Sequence, residues 1–479
     1  MMALKHNITV GLKATVLLAG IMGTAVAAAQ DTTHPQAMGL AETQFERPDP
    51  ESLQVTLDNG LVAYIAEDHR APLVTLKAYI GVGTGHGAPG EAAALAAALR
   101  RGPQSLPADD FQATLDSMNA EFSVSQSHEL TEVFLDVPAN DRAQALTLLG
   151  QLLSEPRFEG PQTGPQERKS SASIDYNYSL VNAVAMFEDQ LFAGHRFSPS
   201  ATAEQSVAAS QGARALHARY VVGQNITAAI AGDFKRSAAV KDTRRALKSL
   251  SAARPPAAQS FAALQPATQR ELILSQAERI QGWIVIGHEL PLVPEEDEAA
   301  LAVMDYILGA YHLDSRLYRS SRELRGLTND NSSFLKPGIR GPGSYSFRTY
   351  GRPEAVRLLV DLTFKELNTM RETLPTATEL FVAKGALVDG IYADHYATGV
   401  EATQAYAREW LTEGSHERSE SFPSRVAAVT AEAVREAAQK YIHPQRMVVA
   451  VLGPLDKIKA APAIESEPQL SVWGAPPSR

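Results

Sequence analysis

The sequence predicts an α+β fold of two homologous lobes, each a mostly antiparallel sheet packed with helices and arising by internal duplication. Three observations lead there. The chain has 479 residues, too many for one ordinary core, so two or more domains are expected. The run Tyr-Val-Val-Gly-Gln-Asn-Ile-Thr-Ala-Ala-Ile-Ala-Gly from Tyr220 to Gly232 has a counterpart, Tyr-Ile-His-Pro-Gln-Arg-Met-Val-Val-Ala-Val-Leu-Gly from Tyr441 to Gly453. In both, a Tyr closes a helix, a short turn follows, and an apolar strand runs to a Gly, with 12 positions from Tyr to Gly. Strands and helices also mix without the strict alternation that a doubly wound parallel sheet requires.

The elements follow in order. Leu53, Val55 and Leu57 alternate, Asp58-Asn59-Gly60 makes a turn, and Leu61 to Ile65 completes a hairpin. A strand over Val74–Val82 leads through a Gly-rich loop into an Ala-rich helix over Glu91–Arg101. In the second half, Arg270–Leu274 and Gly282–Ile286 read as strands, and Glu295–Leu308 and Ser315–Leu324 as helices. The Ala-, Ser- and Pro-rich stretch between the halves is the expected linker. The resulting domains are a signal peptide over 1–29, a flexible lead-in over 30–50 and a first lobe over 51–248. A linker over 249–267, a second lobe over 268–460 and a flexible tail over 461–479 complete the chain.

The signal peptide rests on Lys5 and Lys13, the apolar run Ala14–Met22 and the small residues Ala25, Ala27 and Ala29. The run is too short and Gly-interrupted for a membrane span, so no membrane association is expected after cleavage. The chain has no cysteine, hence no disulfide framework, lipid-attachment thiol or thiolate metal site. Together these predict a periplasmic protein. The formal charge of -10 argues against a nucleic-acid partner, because phosphate binding needs a basic surface.

Several stretches resemble one family. Leu57 to Val74, Leu-Asp-Asn-Gly-Leu-Val-Ala-Tyr-Ile-Ala-Glu-Asp-His-Arg-Ala-Pro-Leu-Val, is similar to the opening hairpin of insulinase-like peptidases of the pitrilysin or mitochondrial processing peptidase type. Ser315 to Thr328, Ser-Arg-Leu-Tyr-Arg-Ser-Ser-Arg-Glu-Leu-Arg-Gly-Leu-Thr, resembles a helix of that family's second lobe. The resemblance implies H-x-x-E-H on the helix after the second strand, where two His and a distant Glu hold zinc and the inner Glu polarises water. Anchored on Gly90 and Gly102, those five positions are Ala93, Ala94, Leu95, Ala96 and Ala97, and the distal Glu falls at Ile174 beside Asp175. The zinc-motif positions Ala93, Ala96, Ala97 and Ile174 carry no lone pair to offer a metal. No catalytic residue, metal site or cofactor is therefore expected on this chain, and zinc only on a partner.

The resemblance also implies an Arg, and a Tyr seven residues later, that hold substrate and stabilise the oxyanion. Here the positions are Arg322 and Asn329, with Tyr345 in the next strand a candidate substitute. Arg316, Arg319, Arg322 and Arg325 recur every third residue. They form either a cationic strip for peptide carbonyls or a solvated helix face pairing with acids such as Glu323 and Asp330. Two rival motifs fail. His288-Glu289 lacks a second His, with Leu292 in its place and the helix-breaking Pro291 before it. Gly83-x-Gly85-x-x-Ala88 lacks the acid-ending strand of a dinucleotide site.

The resemblance thus implies a non-catalytic, substrate-binding subunit that pairs as a heterodimer with an H-x-x-E-H-bearing homologue to cleave peptides. The alternative is a structural or peptide-binding scaffold without a role in proteolysis. A third reading, an active metallopeptidase with a relocated site, has no residue pattern behind it.

Overall fold

The architecture follows from two sheets that are apolar on both faces. A computed structural model describes residues 45–159, 174–198, 203–310 and 313–462, and the signal-peptide segment lies outside them. The chain divides between Glu46 and Arg47, and both sheets belong to the unit that begins at Arg47.

In the first lobe the strands are β1 Gln54–Thr56, β2 Val62–Glu67, β3 Leu73–Ile80, β4 Glu121–Gln126, β5 Thr131–Pro138 and β6 Ile226–Gly232. Its longer helices are α1 Glu91–Arg100, α2 Ala108–Ser117, α3 Arg142–Ser154, α4 Ile174–Leu191, α5 Ala203–Tyr220 and α6 Arg236–Leu247. The second lobe has β7 Glu271–Gln276, β8 Gly282–Leu290, β9 Asn331–Lys336, β10 Gly343–Gly351 and β11 Val448–Gly453. Its longer helices are α7 Glu295–Leu308, α8 Val356–Glu372, α9 Ala377–Gly385, α10 Gly399–Glu413, α11 Glu417–Ala428 and α12 Ala431–Tyr441.

The sheets run β1-β2-β6-β3-β5-β4 and β7-β11-β8-β10-β9. Without the short β1, the two orders are the same when strands are counted along each lobe. In each, one parallel pair (β2 with β6, β7 with β11) sits in an otherwise antiparallel sheet. Helices α5 and α12 end at Tyr220 and Tyr441, and β6 and β11 end at Gly232 and Gly453. The duplication expected from the sequence is thus visible as one topology used twice.

Local chemistry sets the turns. Gly60 adopts φ +85, which a side chain resists, and Asn59 donates from its amide to Leu247 O at 2.8 Å, fixing the β1–β2 turn.

Alternate strand residues enter different cores. From β2, β3 and β6, Ile65, Leu76 and Ile230 face the first lobe's own helices, while Tyr64, Tyr79 and Ala229 face Ala402, Tyr406 and Ala407 of α10. In the second sheet, Ile284, Ile286 and Val449 face second-lobe helices, while Trp283, Val285 and Ala450 face Ala183 and Phe187 of α4. Each lobe therefore lends a helix to the other's sheet. Gly287 lies in the middle of β8, where an added Cβ would sit 2.9 Å from Phe187 Cζ and 2.4 Å from Tyr345 O. The glycine is what lets strand and crossing helix approach.

Phe187→Ala should destabilise the chain by about 3–5 kcal/mol, as buried Phe truncations do. Urea titration measures the loss. Hydrogen exchange should show β8 and β11, in the opposite lobe, losing protection before β2 and β6.

Candidate functional site

Helix α1 begins at Gly90, which has φ +85, and Glu91 accepts from Ala88 N at 2.9 Å to cap the entry. Buried Leu95 and Leu99 point it into the first core. It packs against α5, where Gly212 leaves room that a Cβ would fill, 1.8 Å from Glu91 Oε1. Of the zinc-motif positions, Ala93 is exposed, Ala97 is half-buried and Ala96 is buried. Ile174 is the first residue of α4, and its side chain lies outside the described residues. Among the described residues, no group of three or more His, Asp or Glu side chains could hold a metal ion. The methyl face of α1 does not fit zinc, which takes imidazole, thiolate or carboxylate donors.

The histidines have other employment. His288 lies in β8, not on a helix, and its Nδ1 is 2.5 Å from Glu289 O. Burial drives its pKa down to about 3. His86 accepts from Gly83 N at 3.1 Å, and burial lowers it to about 4. His128 stacks on Phe197 at 4.3 Å and is lowered by burial to about 4. The Gly-rich loop is closed by the protein itself: a Cβ on Gly83 would lie 2.4 Å from Glu129 N, and one on Gly85 2.5 Å from Phe197 Cε1. Its glycines serve internal packing, leaving no approach for a pyrophosphate.

Across the loop, the buried Glu129 carboxylate accepts from Ile339 N and Arg340 N, each at 2.7 Å, tying the β4–β5 turn to the β9–β10 loop. The sequence held no sign of this contact, because the partners are 210 positions apart and backbone amides carry no residue signature.

The structure brings Arg322 and Asn329 together: an Arg322 Nη1 hydrogen donates to Asn329 Oδ1. Ser315 caps the segment, Arg316–Tyr318 makes a helical turn, and Arg319–Glu323 is a π-helical turn, a form often found at functional positions. The four arginines do not form a uniform strip. Arg316 pairs with Glu379 through two contacts at 2.7 and 3.0 Å, Arg319 with Glu323 at 3.6 Å, and Arg325 donates to Ser320 O at 2.7 Å. The helix-face reading fits this arrangement better than a common cationic surface does.

Tyr345 is no substitute for the missing Tyr. It is fully buried in β10 and donates to Asp305 Oδ1 at 2.7 Å, beside Ser333, which donates to the same oxygen at 2.6 Å. Strand alternation turns it into the core, a direction that the sequence alone did not reveal.

A second feature is a cavity of about 910 Å³ between β3 and the second-lobe helices α7, α10 and α11. Leu301, Leu387, Tyr392 and Phe422 line it together with Glu298, Glu409 and Glu413.

Comparison with known proteins agrees with this geometry. Residues 211–387 match the family model described as Peptidase M16 inactive domain. The chain is similar to an uncharacterized zinc protease of Streptomyces coelicolor, 24% identical over 386 residues that span 76% of this chain and 80% of that protein. Among solved structures, a peptidase M16 inactive domain from Pseudomonas fluorescens shares the fold at TM-score 0.65 and 20% identity, over 84% of this chain and 97% of that one. A protease from Helicobacter pylori does so at TM-score 0.66 and 14% identity, over 83% and 98%. A chain of complex III2 from Candida albicans does so at 0.64 and 15%, over 85% and 96%. No helix among the described residues is long and apolar enough to cross a membrane.

Burial raises the Asp305 carboxyl from 3.8 to about 6, against the pull of its hydroxyl donors. The folded state thus holds this proton more tightly than the unfolded state, so stability falls as pH rises from about 4 to about 6. Asp305→Asn, which keeps an acceptor for Tyr345, should gain stability relative to the parent as pH goes from 4 to 7. Thermal melts of both proteins across that range measure the difference.

Proposed function

With the chain a member of the insulinase-like (M16) peptidase family through its inactive-type domain, we propose that it is a non-catalytic, substrate-binding partner subunit of a periplasmic zinc peptidase. The observation that carries this reading is the α1 surface, where alanines stand at the positions a metal-bearing helix would fill with donors. The catalytic zinc would sit on a homologue carrying H-x-x-E-H. This chain would contribute the holding surface.

Two features support that role. Strand β4 is the edge of the first sheet, with Glu121, Ser123 and Ser125 exposed, so an extended peptide can add to it by main-chain hydrogen bonds. In the second lobe Arg322 keeps its guanidinium at a half-exposed position, beside the exposed Leu324 and Asn329. Its five donors exceed what Asn329 and Thr328 accept, which leaves capacity for a peptide carbonyl or carboxylate.

A scaffold without a part in proteolysis is the second reading. Arg322 is already engaged by Asn329, and Asn is a weaker oxyanion donor than Tyr. The likeness to a chain of complex III2 shows that this fold also occurs in an assembly of another kind.

The test is reconstitution. The isolated chain should leave extended peptides intact, and adding a secreted homologue with H-x-x-E-H should give cleavage. Arg322→Ala should reduce that cleavage at least about tenfold, the lower side of what removing one transition-state donor costs. Unchanged cleavage with the variant removes Arg322 from the reaction. Stable pairing without cleavage supports the scaffold.

A further inference from the structure

We propose that the cavity between the lobes binds an organic cation with an apolar body: a primary ammonium or guanidinium group carried on an aliphatic or aromatic frame. At about 910 Å³ it falls within the range of small-ligand sites. It lies inside one chain, so it is complete without any partner subunit and does not depend on the peptidase reading.

The walls supply the apolar half of the recognition. Leu301 and Leu387 are buried, Ile391 is exposed into the opening, and Tyr392 stacks on Phe422 with ring centres 6.3 Å apart and planes at 23°. Tyr396 lies 5.1 Å from Tyr392 and extends the aromatic side.

The charges supply the other half. Four carboxylates line the space, Glu298, Glu401, Glu409 and Glu413, against Lys77, Arg408 and Arg418. Lys77 is committed to Glu132, which does not line the cavity, at 2.8 Å. Arg418 sits 3.1 Å from Glu298 and 3.7 Å from Glu413, and Glu298 has a second partner in Arg425 at 2.8 Å. Glu409 is held by Tyr396, by Ser419 at 2.9 Å and by His416 at 2.7 Å. Glu413 is left with the longest arm of a shared guanidinium. Burial pushes its carboxyl up despite Arg418, and the neighbouring Glu298, Glu409 and Glu295 add to the rise. Negative charge in excess of its local cations, next to aromatic faces, is the setting in which an incoming cation gains most.

Calorimetric titration of the isolated chain tests this with hexylamine against hexanol, and with acetyl-Leu-Arg-Leu-amide against acetyl-Leu-Gln-Leu-amide. At least one cation should bind saturably and about fivefold or more tighter than its neutral twin, the size of one partly exposed ion pair. Hexylamine alone identifies a free amine, the tripeptide alone a peptide side chain, and either supports the site. Glu413→Gln and Glu413→Lys, at a half-exposed position that should leave the melting temperature in place, should erase the preference. Neutral twins binding as well as the cations, or both Glu413 variants binding as the parent does, would overturn it. Failure of reconstituted proteolysis would leave this result standing, and the reverse also holds.

Discussion

The structure depends on a reciprocal exchange of helices. Neither sheet can bury its second face with its own lobe: β2, β3 and β6 need α10, and β8 and β11 need α4. The seam is polar as well as apolar. Thr227 donates to Ala407 O at 2.6 Å, and Tyr64 lies 2.8 Å from His416 Nε2. Because each interlobe contact completes a core, separating the lobes would expose two apolar sheet faces at once. The linker adds to this bond: Phe261 packs with Phe192 and Phe197, and its amide donates to Arg340 O at 3.0 Å. The Glu129 carboxylate then fixes the β9–β10 loop against the β4–β5 turn.

That exchange explains how the chain can keep a peptidase fold without metal donors. Ala is the strongest helix former, and a small face lets α5 pack closely on α1, so alanine costs the helix nothing. Donors at Ala93 and Ala97 would do chemistry rather than packing, and their absence leaves the fold intact. What the second lobe retains is a set of arginines placed in separate contacts, of which Arg322 has the most donors to spare. The same seam that joins the lobes leaves the charged cavity beside α10 and α11, a feature produced by the exchange rather than by either lobe alone.

Much of this was legible in the residues. The Asp58-Asn59-Gly60 turn, the start of α1 at Glu91, the helix over Glu295–Leu308 and both Tyr-to-Gly endings lie where local chemistry placed them. The Arg322–Asn329 spacing also proved to be a contact. Other features could not be read. Strands such as β8, buried at every residue, show no alternation, so nothing in them says which face meets which helix. The inward turn of Tyr345 and the Glu129 latch depend on partners far away in sequence. The arginine strip looked uniform because spacing records direction and not the acids or carbonyls waiting nearby.

The central claim is that this chain lacks the donors for a peptidase zinc and cannot hydrolyse peptides by itself. The direct measurement is elemental analysis of the purified chain after zinc loading and dialysis, paired with a peptide cleavage assay on the same sample. The account predicts far less than one equivalent of zinc and no chelator-sensitive cleavage. One tightly held equivalent, with cleavage that a chelator abolishes, would contradict it.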